Sequence, residues 1–125
     1  MPPKFRDLDE FWPFYVSQHL NPTNRKLHFA GTTAGLACLG AAVTTRRGSW
    51  LPIGLGLGYG LAWIGHFFFE KNRPATFGEA WLSLQADMKM YRLTWEGRMD
   101  DEVRRLGPKL KARRAARPKL RPATA

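Results

Sequence analysis

Between Phe29 and Phe69 the chain has only two charged side chains, Arg46 and Arg47, and they are neighbours. Every other charge lies outside this window, although the mean hydropathy of the whole chain is −0.38. Segregation of this kind makes a bilayer, and not water, the solvent for the middle third. The third helix, Trp50 to Phe69, is 20 residues long, enough to span, and Pro52 stands in its first turn where proline costs little. The second runs from Thr23 to Thr45; its apolar part, Phe29 to Val43, is 15 residues, short against the ~20 a span usually needs. Arg46-Arg47-Gly48-Ser49 forms the polar turn between them. The alternative is a buried hairpin in a soluble protein, but 125 residues make one domain at most and could hardly surround two such helices.

The flanks have a different periodicity. Residues 1–4 read as a loose end. Apolar residues then fall at Phe5, Leu8, Trp12 and Tyr15, and the same steps of three and four reach His19, an amphipathic stripe. Asp7, Asp9 and Glu10 suit the start of that helix, and Pro13 kinks it or delays its start. Its aromatic content fits a helix lying in the membrane interface. Asn21-Pro22 breaks the helix, and Asn21 or Thr23 caps the next one. After the polar exit Glu70-Lys71-Asn72-Arg73-Pro74, a last helix begins near Phe77 with apolar positions 77, 81, 84, 88, 91 and 95. Asp87 edges that stripe, while Asp100, Asp101 and Glu102 read as solvated. The expected fold is therefore an all-α membrane protein: a transmembrane helical hairpin flanked by two amphipathic interfacial helices. Residues 1–106 form the single embedded domain, and 107–125 a disordered basic tail.

That tail carries seven of the cations behind the formal charge of +10 and no acid, leaving about +3 for the rest. It suits anionic membrane lipid at ~1 kcal/mol per cation. No aromatic residues interleave with its cations, so no nucleic acid partner is expected. Arg25, Lys26, Lys71 and Arg73 join the tail on the side of both termini, against Arg46 and Arg47 at the turn. The positive-inside rule then puts the termini on the cytoplasmic side, in the inner membrane of a bacterium or the endoplasmic reticulum of a eukaryote. Cys38 is the single cysteine, so no internal disulfide forms; among Ala, Leu and Gly it reads as an inert packing thiol.

Small residues recur at four-residue steps in both central helices. In the third the row is Gly54, Gly58, Ala62, and it continues to His66 and Glu70. In the second, Gly31 and Gly35 form one pair, and Ala30, Ala34, Cys38 and Ala42 another. Such rows let membrane helices approach closely, so the packing row also aims His66 and Glu70 at the partner helix; they serve dimers as readily, which leaves a homo-oligomer open. His28 precedes Arg46 by 18 residues and His66 follows Gly48 by 18. At ~1.5 Å per residue both lie ~27 Å from the turn, at one level near the membrane surface. Ionisable groups at that depth are costly, which points to function. His19 and His28 flank the turn at Pro22, and only that turn decides whether His19 joins the other two.

Imidazole is a common ligand for iron, zinc and copper, and carboxylates such as Glu70 and Asp87 complete sites for oxygen-activating iron. Three histidines make one metal the ceiling, which excludes the two-iron desaturases. Haem between two axial histidines is conceivable, but the motif for covalent attachment is absent.

Two stretches carry a resemblance: His19-x2-Pro22-x-Asn24-Arg25-x2-His28-x2-Gly31-Thr32, then Trp63-x2-His66-Phe67-x2-Glu70-x-Asn72-x-Pro74. Over residues 5–95 the chain resembles the 2-hydroxy fatty acid dioxygenases. The resemblance implies an integral membrane enzyme that uses Fe(II) and O2 to shorten a 2-hydroxy fatty acid by one carbon. The family's essential histidines match His19, His28 and His66. In a mechanism consistent with this, Arg25, Arg73 or Lys71 pairs with the substrate carboxylate, Asn24 and Asn72 hydrogen-bond around the metal ligands, and Glu70 and Asp87 supply carboxylates. The acyl chain lies in lipid or along the small-residue face. The rival from another class is a non-catalytic membrane interaction protein working through its basic tail.

Overall fold

The computed structural model describes residues 5–74 and 78–116, with side chains as far as Pro108. Among these residues every regular element is helical. Helix α1 (Leu8–Ser17) starts at Asp7, whose carboxylate accepts from the Glu10 N–H at 2.9 Å. Pro13 is accommodated inside it. Helix α2 (Pro22–Thr45) is capped by Asn21 Oδ1, which accepts from the Thr23 N–H at 2.8 Å, with Pro22 at its first position. It ends at Arg46, which takes a left-handed conformation with φ 54°. Helix α3 (Trp50–Ile64) returns antiparallel and continues as a π-helical segment, Gly65–Glu70. Helices α4 (Ala80–Trp95) and α5 (Met99–Ala116) complete the chain.

Pro22–Thr45 and Trp50–Glu70 are each long and apolar enough to cross a membrane, by length and composition. They pack through glycines. A Cβ on Gly31 would lie 2.9 Å from the Gly58 carbonyl oxygen, and one on Gly54 would lie 2.8 Å from Cys38 Cβ. Close backbone approach of this kind is what small-residue rows permit. It selects the Gly31–Gly35 pair of α2, joined by Cys38, as the packing row, and Cys38 is buried there.

A second apolar cluster lies apart from the hairpin seam. Phe11, Trp12, Tyr15 and Val16 of α1 pack with Leu82, Ala86, Met90 and Leu93 of α4, and with Met99 and Leu106 of α5. This three-helix cap is joined to the hairpin through α4: the Phe29 and Tyr91 rings stack at 4.9 Å, and Thr33 Oγ1 lies 3.0 Å from the Tyr91 hydroxyl.

Several expectations are corrected. The stripe of α1 faces α4 and α5, so its aromatic residues are covered by protein. On α4 the row turned to the core is Leu82, Ala86, Met90 and Leu93, whereas Trp81 is 69% and Trp95 68% exposed. The helix has two apolar faces, and the periodicity picked out the bulkier, outward one. The last turns of the third helix are π-helical, with the Lys71 N–H bonded to the His66 carbonyl and Lys71 at φ 57°. The acids of α5 are partnered and not merely solvated: Asp100 meets Arg25 at 3.1 Å, and Glu102 accepts from Trp12 Nε1 at 3.0 Å. Helix α5 crosses the expected boundary at 106/107 and runs to Ala116, so the start of the supposed disordered tail is helical. Residues 1–4, Phe77 and 117–125 lie outside the described residues, and with them the loose end, the helix start at Phe77 and the rest of the tail.

Candidate metal centre

The three histidines meet. His28 Nε2 lies 3.2 Å from His19 Nε2 and 3.0 Å from His66 Nε2. The three ring centroids are 4.6, 4.6 and 4.9 Å apart, a nearly equilateral cluster with the rings edge to face. All three side chains are buried. Among the described residues, these are the His, Cys, Asp and Glu side chains grouped closely enough to hold a metal ion.

Each ring comes from a different local device. His28 projects from the second turn of α2. His66 is the second residue of the π-helical segment. His19 follows α1, held by its own N–H on the Val16 carbonyl at 3.0 Å and by its ring stacked on Tyr15 at 4.0 Å. Arg25 fixes the same linker, donating at 2.8 Å to the carbonyls of both His19 and Leu20. The turn at Pro22 therefore does bring His19 to the other two.

The far side of each ring sets the chemistry of the near side. His19 Nδ1 faces the Tyr15 carbonyl at 2.7 Å, an acceptor only, so this nitrogen carries the proton. His66 Nδ1 faces Asn72 Oδ1 at 2.7 Å, and Asn72 Nδ2 donates to the Gln18 carbonyl at 3.0 Å, which fixes the amide orientation. His19 and His66 therefore turn bare Nε2 lone pairs toward His28. One proton on His28 Nε2 satisfies only one of them, whereas a cation satisfies all three nitrogens. His28 Nδ1 lies 3.8 Å from the Asp87 carboxylate, near it but beyond hydrogen-bond distance, so only His19 and His66 have their Nδ1 held by an oxygen acceptor. Burial, and then the neighbouring imidazoles of His28 and His66, hold His19 well below the usual histidine pKa and keep it neutral, as a ligand must be. In this conformation His28 Nε2 lies too close to His19 and to His66 to sit opposite either of them across a haem iron, since such ligands would lie ~4 Å apart.

Residues 5–99 match the protein family described as 2-hydroxy-palmitic acid dioxygenase Mpo1-like. The chain belongs to this family. No curated protein and no solved structure matches it.

The other candidate site residues divide into those near the triad and those that hold the scaffold. Asn72 anchors His66, and Asp87 stands beside His28 while accepting from the Tyr15 hydroxyl. Burial pushes the Asp87 carboxyl up to about 6, partly opposed by that hydrogen bond. The Tyr15 hydroxyl is itself held well above its usual range, by burial and then by Asp87. Glu70 lies away from the triad: its carboxylate accepts from the Asn21 N–H at the start of α2, a position where the helix dipole favours an acid. Arg25 is committed to the two linker carbonyls and Asp100, and Lys71 and Arg73 are exposed. Asn24 is wholly buried, with Nδ2 3.5 Å from the Gln18 carbonyl and Oδ1 against Gly65.

Tyr15, Gln18, Gly65 and Ser83 were not singled out from the sequence as site residues. Tyr15 stands one turn before His19, and Ser83 one turn before Asp87. That spacing was the available signal for those two.

Proposed function

We propose that this chain is an Fe(II)-dependent dioxygenase that converts a 2-hydroxy fatty acid into the acid one carbon shorter. The supporting observation is the set of three buried Nε2 atoms that meet, with those of His19 and His66 turned inward by oxygen acceptors at Nδ1. His19, His28 and His66 would hold the ion through these nitrogens, and imidazole is a donor that ferrous iron accepts. When bound at His19, His28 and His66, ferrous iron supplies the redox chemistry and the open positions for dioxygen and for the substrate's hydroxyl and carboxylate oxygens.

The protein's own groups do the rest. Tyr15 and Asn72 hold the His19 and His66 imidazoles with their lone pairs inward, which reduces reorganisation on binding. Asp87 also lines the cavity at the triad, where its carboxylate is placed to accept the proton of the 2-hydroxyl. Arg25 acts as a clamp on the His19 linker, so carboxylate recognition passes to the metal and the cavity wall. Cleavage of the C1–C2 bond balances as 2-hydroxy acid plus O2 giving the shortened acid, carbon dioxide and water, with no further reductant. The hairpin crosses the bilayer with the site at the cytoplasmic face, a reading supported by Arg25, Lys26, Lys71 and Arg73 at the histidine end.

The test is anaerobic purification, loading with Fe(II), and assay on 2-hydroxypalmitate. One iron per chain and formation of pentadecanoate are expected, both lost in His28→Ala and His66→Ala. A chain that takes up no iron, or whose oxidation of the acid survives both substitutions, refutes the proposal.

A further inference from the structure

A cavity of about 470 Å3 starts at the histidines and runs along one side of the hairpin as far as Leu39 and Leu51. Its origin is the glycine packing. Because α2 and α3 touch through Gly31, Gly35, Gly54 and Gly58, no side chain fills the crease between them, and leucines stand at its edges. The cavity is polar at the histidine end and apolar over the rest.

Two observations indicate the kind of occupant. The first is length. Leu39 follows His28 by 11 residues on α2, and Leu51 precedes His66 by 15 on the returning helix. At ~1.5 Å per residue the crease is ~16 Å long on the α2 side and somewhat longer on the other. One leaflet of a bilayer is half of the ~30 Å hydrocarbon core, so the crease matches one ordinary acyl chain. The second is an orphaned group at the polar end. Ser83 lines the cavity one turn from Asp87, is 2% exposed, and its Oγ has no hydrogen-bond partner. A buried hydroxyl is costly to leave unpaired, and a ligand oxygen would satisfy it.

We propose that the crease binds the acyl chain of the 2-hydroxy acid, with the carboxylate at Ser83 and the methyl end at Leu39 and Leu51. This rests on the dioxygenase reading above. The leucine pair then sets the length of chain that is accepted. Leu36 and Leu55 are exposed along the crease, so the chain enters sideways from the lipid without leaving the membrane. Ser83 acts as a positioning residue for the substrate's head.

The experiment uses the full chain in lipid nanodiscs. A 2-hydroxy acid carrying a photoreactive diazirine near its methyl end is cross-linked and the labelled residues are mapped. Label is expected around Leu39 and Leu51, moving toward Thr32 and Ala62 when the diazirine is placed nearer the carboxylate. Label spread over outward-facing Ile53 and Leu57 overturns the proposal. So does failure to label the crease together with a disulfide between two copies of a Leu39→Cys variant, because a second chain would then occupy it. In turnover from 2-hydroxydecanoate to 2-hydroxystearate, Leu39→Trp and Leu51→Trp should lower the ratio of long-chain to short-chain product by about tenfold or more. Leu57→Trp, outside the crease, should leave that ratio unchanged. Ser83→Ala should raise KM alike for all chain lengths with kcat preserved, and Ser83→Thr should restore it. An unchanged ratio in both tryptophan variants overturns the proposal. The two readings fail separately: labelling of the crease without oxidation defeats the enzyme reading alone, and oxidation with label elsewhere defeats the crease alone.

Discussion

Replacing Gly65 by alanine tests whether helix packing sets the geometry of the histidines. A Cβ at this position would lie 2.0 Å from Asn24 Oδ1, 3.0 Å from Asn24 Cγ and 3.2 Å from Asn24 Cα. The first contact is more than 1 Å inside ordinary van der Waals separation, which begins near 3.4 Å. Asn24 is wholly buried, so its side chain cannot swing out into solvent, and its Cα cannot move without the helix. The remaining response is for α2 and the π-helical segment to move apart next to His28 and His66. Overpacking of this kind costs ~1–3 kcal/mol, and alanine recovers ~1 kcal/mol of helix propensity, so the net loss is up to ~2 kcal/mol. The larger effect is on the metal. Displacement of donors by a few tenths of an ångström should weaken binding by roughly 10–100-fold, the range typical for disturbed ligand support. The assay is a metal titration beside thermal unfolding of the metal-free chain. Gly60→Ala is the control, because a Cβ there meets nothing within 4 Å. In a double-mutant cycle Asn24→Ala should relieve part of the Gly65→Ala penalty, since it removes Oδ1 and Cγ but not Cα. If Gly65→Ala binds metal as tightly as the native chain and unfolds at the same temperature, the packing argument is wrong.

Other expectations follow from single contacts. Asn72→Leu removes the acceptor behind His66 and should weaken metal binding by about 10–100-fold, with Asn72→Asp recovering most of it in the same titration. Arg25→Met should destabilise the chain by about 1–3 kcal/mol through the unpaired His19 and Leu20 carbonyls, and Arg25→Lys should recover part of this, because one ammonium can serve the two carbonyls that Nη1 serves but not Asp100 as well; chemical denaturation in detergent measures both. In the metal-free protein Asp87 should titrate near 6 by infrared spectroscopy, and Tyr15→Phe should move that titration upward, because the lost hydrogen bond stabilised the carboxylate. As the folded value lies above the ordinary 3.8, the folded chain takes up the extra proton first, and Asp87 adds stability as pH falls from about 6 toward 3.8. An Asp87 that titrates at the ordinary carboxylate value contradicts the burial argument.

The hairpin and the meeting of His28 and His66 were legible because the glycine row pointed at the right faces; the equal count from the turn was about one turn out, since Gly65, next to His66, lies against Asn24. The resemblance matched the same histidines and named a family that the comparison bears out. The roles of the polar residues were less legible. Arg25 and Glu70 have the charge of substrate-binding or metal-binding groups, yet they are held by backbone groups of the linker between α1 and α2, and only tertiary structure reveals that. Likewise, nothing local announces the π-helical turn. It accompanies the approach of Gly65 to Asn24 and the anchoring of His66 on Asn72. On α4, period alone could not say which of two apolar faces meets α1.

His19 belongs to the cap side of the molecule, while His28 and His66 belong to the hairpin. An ion held by all three would act as a rivet between a compact helical unit and a pair of membrane helices, and its binding free energy would add to their docking. The full ligand set would then exist only after the hairpin and the cap have packed together. Metal uptake would be the last event of assembly, and a chain still unassembled would carry no ion at these histidines.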